Sequence, residues 1–220
     1  MRTIALCLII SATLSAALCQ AQITPVVAKQ RTVSDVLDSD GNVVSHIETL
    51  GRYLRNSAGS TVTQTYSPHG GETAIRWGQL EDYGRHKLYQ LNYEKREAVE
   101  LGDLFDGPHP EYLANAKSAL GEETVNGFPC LIHSVYMITD GKKHLIGKKY
   151  DSAKYGLQIK EDAIIEPPGG PRTHQIVELY DIQFVDPDPK EFEIERFSFM
   201  GKGSPVYVKP DDSAPAELLK

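Results

Sequence analysis

Residues 126–151, NGFPCLIHSVYMITDGKKHLIGKKYD, restrict the fold more than any other stretch of the chain. Asn126-Gly127 starts the segment with a turn and Asp140-Gly141 is a strong short-range hairpin signal, because primed two-residue turns need positive φ. The run between them is a strand with apolar residues on both sides. Phe128, Cys130, Ile132, Tyr136 and Ile138 fall on one side, and Leu131, Val135 and Met137 on the other. An antiparallel strand with one solvated face alternates apolar with polar. A second apolar side therefore needs a cover: another sheet, a helix, or a guest molecule.

The rest of the chain repeats this grammar of short strands and polar turns. Strands are expected over 32–37 and 43–49 around the Asp38–Asn42 connection, and further strands around turns at 56–59, 81–84 and 92–95. A break follows at 102–121, where Pro108 and Pro110 precede a helix-like run, 111–120, closed by Gly121,. Beyond it, 157–165 alternates cleanly, 167–171 is a Pro/Gly loop, and 173–184 is a long strand. The prolines of 186–189 then lead out to Phe192 and Ile194. The expected fold is mainly β: an open antiparallel half-barrel or strongly curved sheet with one short helix.

The ends differ in composition from the body. Arg2, the apolar run 4–18 and Cys19-Gln20-Ala21 have the layout of a secretory signal peptide cut after Ala21,. That run is shorter than the about 20 residues that span a bilayer, and no second apolar segment of spanning length follows. The domain reading is a signal peptide at 1–21, a single β-rich domain at 22–200 and a mostly disordered tail at 201–220. Removing the leader takes only Arg2 among charged residues, so the formal charge of −7 becomes −8. This acidic balance argues against a nucleic-acid partner, which needs a basic face. Cys7 and Cys19 lie in the leader, leaving Cys130 without an intramolecular disulfide partner,. Export to the periplasm is expected, with the extracellular space or a lipid anchor on Cys19 as alternatives; Leu18 stands where an acylated Cys wants a small residue.

Three phrases carry a resemblance. They are Tyr155-Gly156-Leu157-Gln158-Ile159, the run from Asp186-Pro187 to Phe192, and Tyr53-Leu54-Arg55-Asn56-Ser57-Ala58-Gly59-Ser60. In order and spacing of turns they resemble outer-membrane lipoprotein carrier-like exported domains of the LolA and LppX type, and related exported proteins of acidobacterial type. The resemblance implies a half-open barrel with a hydrophobic concave side. The chain departs from the carriers in opening with loop and strand over 22–37 where they have an amphipathic helix. It also offers no position that matches their functional arginine.

No catalytic constellation is visible. The seven histidines (46, 69, 86, 109, 133, 144 and 174) show no i, i+2 or i, i+4 pairing, so no metal site and no cofactor are expected,. There is no Gly-x-Ser-x-Gly elbow and no phosphate loop. Asp38-Ser39-Asp40-Gly41-Asn42 lacks the remaining ligands of a calcium loop and is turn chemistry. Glu178 lacks a partner with which to divide acid and base roles.

The leading expectation is a non-enzymatic carrier or binding module for a hydrophobic, acyl-chain-bearing ligand or lipoprotein. Its wall is expected to include Trp77, Leu131, Val135, Tyr136, Met137, Ile146, Ile176 and Tyr180. The alternatives are an envelope sensor or interaction module with a protein partner, and a secreted hydrolase.

Overall fold

Turn chemistry sets the register of the sheet. In the computed structural model, which describes residues 23–67, 74–104, 119–139, 142–166 and 170–203 (without the side chains of 137–139, 142 and 143), Asn126 and Gly127 have φ of 51° and 81°. That is the pair of left-handed residues a two-residue hairpin demands, and it joins β7 (Gly121–Val125) to β8 (Phe128–Thr139) with Val125 opposite Phe128. Asp38 organises the first hairpin: its Oδ1 accepts the N–H groups of Asp40 and Asn42 between β1 (Val26–Leu37) and β2 (Val43–Arg55).

A second turn design is used twice. β4 (Ile75–Asp82), β5 (Lys87–Asn92) and β6 (Glu97–Asp103) are joined by turns ending in left-handed His86 and Arg96. In each, the last strand residue, Asp82 or Asn92, accepts the backbone N–H three residues on,. The turn between β9 (Lys142–Ser152) and β10 (Leu157–Ile165) ends likewise, on Gly156 at φ 53°.

With β3 (Thr61–Tyr66), β11 (Arg172–Gln183) and β12 (Ser198–Lys202) these strands form one open 12-stranded sheet. Its order is β12-β6-β5-β4-β3-β2-β1-β11-β10-β9-β8-β7. Two meanders, β1 to β6 and β7 to β11, meet where β1 pairs with β11; every pairing is antiparallel except β12 with β6. The open half-barrel expected from sequence is thus the observed fold. The helix expected at 111–120, the leader and the tail beyond 203 lie outside the described residues.

β1 begins at Val26, six residues ahead of the expected Thr32. The reason is burial: Val26 and Ala28 are core residues beside Leu179 and Tyr53, an environment that local alternation does not reveal.

The sheet curls, and two side chains record it. Arg55 at the end of β2 is buried, and its guanidinium donates to the carbonyls of Thr24 (3.0 Å), Tyr155 (2.7 Å) and Gly156, bridging to the β9–β10 turn. Asn126 in the β7–β8 turn donates from Nδ2 to the carbonyl of Leu179 on β11 (2.8 Å) and to Glu178 (3.0 Å). Neither contact is between neighbouring strands, so both require a bent sheet. Because Arg55 pairs with Val26, the face carrying Val26, Ala28 and Arg55 is the inner one.

The two halves bury different faces. Leu54, Val62, Leu80, Tyr89, Leu91 and Ala98 form a core on the outer face of the first meander, together with Val27. A strap made of two 3-10 turns, Pro189–Phe192 and Ile194–Arg196, lays Phe192, Ile194 and Phe197 over it. Fully burying a large side chain of that core, such as Leu80 or Leu91, contributes about 1.5–3 kcal/mol,. Glu191 pins the strap by accepting from Arg52 (2.6 Å) and from Gln64 (3.0 Å), and Gln64 also donates to Tyr93 Oη. The second core contains Val26, Ala28, Val125, Cys130, Tyr150, Leu157, Ile159 and Leu179.

Candidate ligand-binding face

The pairings decide which side chains share a face. Leu131 stands opposite Asp151 and His133 opposite Lys149. The next row runs from Val135 through Gly147, Ala163 and Gln175 to Ser34. Through Gln30 and Leu179 these residues share the inner face with Arg55. Phe128, Cys130 and Ile132 project from the other side of β8 and pack into the second core with Val26, Ala28 and Leu179.

The two apolar sides of β8 therefore have two different causes. On the side away from Leu131 Cys130 is fully buried, and Phe128 joins Tyr155 and Phe184 in an aromatic group with centroids 5.8 and 6.0 Å away. Tyr155 and Phe184 stack at 4.1 Å. That side packs into the second core, and Phe128, Cys130 and Tyr155 also border the rim cleft. Burial also pushes the Cys130 thiol up, in keeping with its packing as a small hydrophobe,.

On the inner side Leu131 and Val135 are only half-buried. At the rim, between the β7–β8 and β9–β10 turns, lies a cleft of about 450 Å³. Phe128, Pro129, Leu131, Ala153 and Tyr155 give it apolar walls, and Glu122 and Lys154 stand at its margin. Lys154 places its ammonium 4.8 Å over the Tyr155 ring.

Behind Leu131 the inner face changes character. Asp151 is completely buried and His133 nearly so. Lys149 Nζ forms an ion pair with Asp151 Oδ2 at 3.3 Å, and His133 Nε2 lies 3.9 Å from the same oxygen. Burial raises the Asp151 pKa, and the charges of Lys149 and His133 offset this only in part,. Both Asp151 oxygens and His133 Nε2 are without a hydrogen-bond partner.

The expected wall residues are divided by the fold. Leu131 lines the cleft, and Val135 continues along the same face. Ile146 sits in the β9 bulge beside Gly147. Trp77 shares that face through Thr65, Gly51 and Gln30, but stands on β4, far along the sheet. Ile176 and Tyr180 pair with Val33 and Lys29 and so project from the outer face. Tyr136 is 52% exposed opposite the exposed Leu145. The side chain of Met137 lies outside the described residues.

Sequence reading missed His133, Lys149 and Asp151. The available signal was a histidine in the apolar run FPCLIHSVYM, a polar break on a side otherwise set for burial. A second groove of about 600 Å³ runs beside the β11 bulge at left-handed Asp181, between Lys29, Arg52, Tyr66 and Ile182. Its walls are as polar as apolar, and Lys29 pairs with Asp181 across it at 3.4 Å. Among the described residues no group of three or more His, Cys, Asp or Glu side chains could hold a metal ion, and no helix is long and apolar enough to cross a membrane.

A half-open antiparallel sheet with an apolar cleft at one rim is the class of molecule these features define. No protein-family model matches the chain, and no curated protein does. Solved structures similar to it are LolA-superfamily and lipoprotein-sorting proteins. A LolA superfamily protein from Nitrosomonas europaea is 9% identical with a TM-score of 0.37, the match covering 78% of this chain and 90% of that one. A protein described as an outer membrane lipoprotein-sorting domain, from Vibrio parahaemolyticus, is 9% identical with a TM-score of 0.37, covering 80% and 92%. LprF from Mycobacterium bovis is 9% identical with a TM-score of 0.31, covering 76% and 90%.

Proposed function

We propose that the protein is an exported, non-enzymatic carrier or binding module that takes up an acyl chain or a comparable hydrophobic guest at the rim cleft. Lipoproteins are one form such cargo takes, and the bacterial periplasm is the compartment in which the module works. The observation that carries this reading is the cleft itself. Its volume lies within the roughly 300–1,000 Å³ of small-molecule sites, and its walls are mainly apolar with a few polar groups at the margin,. Leu131 lines the entry, and Val135 extends the path along the inner face.

The test is native mass spectrometry of protein purified from the periplasm, with organic extraction of whatever accompanies it. Co-purifying acyl-chain molecules that are lost in Leu131→Asp and retained in Ile176→Asp support the reading. Protein that emerges guest-free and binds no added fatty acid overturns it.

One observation favours a second reading. Phe199 and Met200 on β12, the outermost strand beside β6, are 58% and 59% exposed. Apolar side chains on a sheet edge suit a protein partner added at that edge. Loss of a co-purifying protein in Phe199→Lys, with lipid content unchanged, would support the partner reading over the carrier.

A further inference from the structure

We propose that His133, Lys149 and Asp151 form a head-group site immediately behind the cleft, built for a neutral hydroxyl-bearing head group of glycerol or sugar type. This rests on the cleft being an acyl-chain site and specifies what the chain is attached to. Leu131, which lines the cleft, is the residue directly opposite Asp151, so a single side chain separates the apolar cleft from the polar group. All four side chains project from one face.

The unmet hydrogen-bonding capacity is concentrated there. Buried polar groups are overwhelmingly paired in folded proteins, and each one left unmet costs about 1–3 kcal/mol. Asp151 contributes Oδ1, with Oδ2 met only by the Lys149 ammonium at 3.3 Å, and His133 contributes one such nitrogen, all on adjacent strands of the inner face. Among the described residues the one other unpartnered buried side-chain atom is Ser152 Oγ, next in sequence to Asp151, whereas in the first meander Gln64 is satisfied by Tyr93 and Glu191, Asn92 by the N–H of Lys95, and Arg55 by three carbonyls.

Charge selects the class of head group. Lys149 already offsets Asp151, so a further formal charge would enter a dry site without compensation,. A phosphate or carboxylate would meet the Asp151 oxygens, and an ammonium would meet Lys149. A hydroxyl meets neither objection, because it donates to Asp151 while accepting from His133 or Lys149.

The experiment compares monopalmitoylglycerol, palmitate and hexadecylamine binding to the full chain by displacement of an apolar fluorescent dye. Monopalmitoylglycerol is expected to bind about tenfold more tightly than the two charged amphiphiles, the worth of one hydrogen bond to a charged group. In Asp151→Asn that preference shrinks to about twofold or less, because monopalmitoylglycerol loses its acceptor and palmitate no longer meets the Asp151 charge,. His133→Phe, which leaves the Asp151–Lys149 pair in place, reads out the same preference should Asp151→Asn not fold. Equal binding of all three amphiphiles to the wild type, or a preference that survives both substitutions, overturns the head-group site and leaves the acyl-chain reading standing. Binding of none of them overturns both.

Discussion

The two meanders solve the same burial problem in opposite ways. The first covers its outer face with a strap from its own chain, and every buried polar side chain beneath that strap has a partner. Gln64, for example, holds Tyr93 and Glu191 together within the interface. The second leaves its inner face with a cleft at the rim. All the unpartnered buried side-chain atoms among the described residues, on His133, Asp151 and Ser152, are in this second half. A region whose hydrogen bonds are complete is finished by folding alone. A region with acceptors left over is finished by something else, or bears the cost.

The contrast is exposed most directly by cavity mutations. Leu80→Ala in the sealed half should destabilise by about 2–5 kcal/mol, as expected for a fully buried leucine,. Leu131→Ala in the open half should lose no more than about 1 kcal/mol in denaturant unfolding, since its side chain borders space already,. Equal losses at the two sites would dissolve the distinction.

Next in size is the curl. Arg55→Met keeps the apolar stem and strands three carbonyls, for an expected loss of about 3 kcal/mol, with faster proteolysis at the β9–β10 turn,. Glu191→Gln should cost about 1–2 kcal/mol by weakening the charge-assisted bond from Arg52, and limited proteolysis should then cut within 189–197,.

The smallest effect is a pH dependence. Burial raises the folded-state pKa of Asp151 above its unfolded value, so its favourable contribution is fully present below the unfolded carboxylate range,. That contribution disappears as pH rises through the folded value. Wild type should therefore lose more thermal stability between about pH 4 and about pH 8 than Asp151→Asn does. Parallel profiles for the two proteins would mean that Asp151 ionises in the folded state as freely as in the unfolded one.

Most of the hairpins were legible because their determinants are local. Asn126-Gly127 and the Asp38 turn fix their own geometry within a few residues. Which residues share a wall was not legible. Alternation predicts faces within one strand, but bulges at Val27/Lys29, Gln158/Lys160 and Val135/Tyr136 break the correspondence between strands,. Ile176 and Tyr180, apolar and well spaced, turn out on the opposite side from Leu131 because the register sets Gln175, not Ile176, in the row of Val135, Gly147 and Ala163. The curved sheet was expected, but the side chains that hold the curl were hidden, since Arg55 and Asn126 find carbonyls about a hundred and about fifty residues away. His133 and Asp151 look like surface residues in isolation, and only the pairing of β8 with β9 turns them inward together.

The central place of β1 has a kinetic consequence. Ser34 and Gln175 are neighbours in the finished sheet yet lie 141 residues apart along the chain. The first strand to be synthesised thus keeps one side unsatisfied until almost the last one arrives. Closing so long a loop before its contacts repay the entropy makes for slow assembly. A partly made chain would present the bare edge of β1 to any other extended segment it met. A chain truncated before β11 should not settle into a smaller version of this fold, because the two meanders would have no seam.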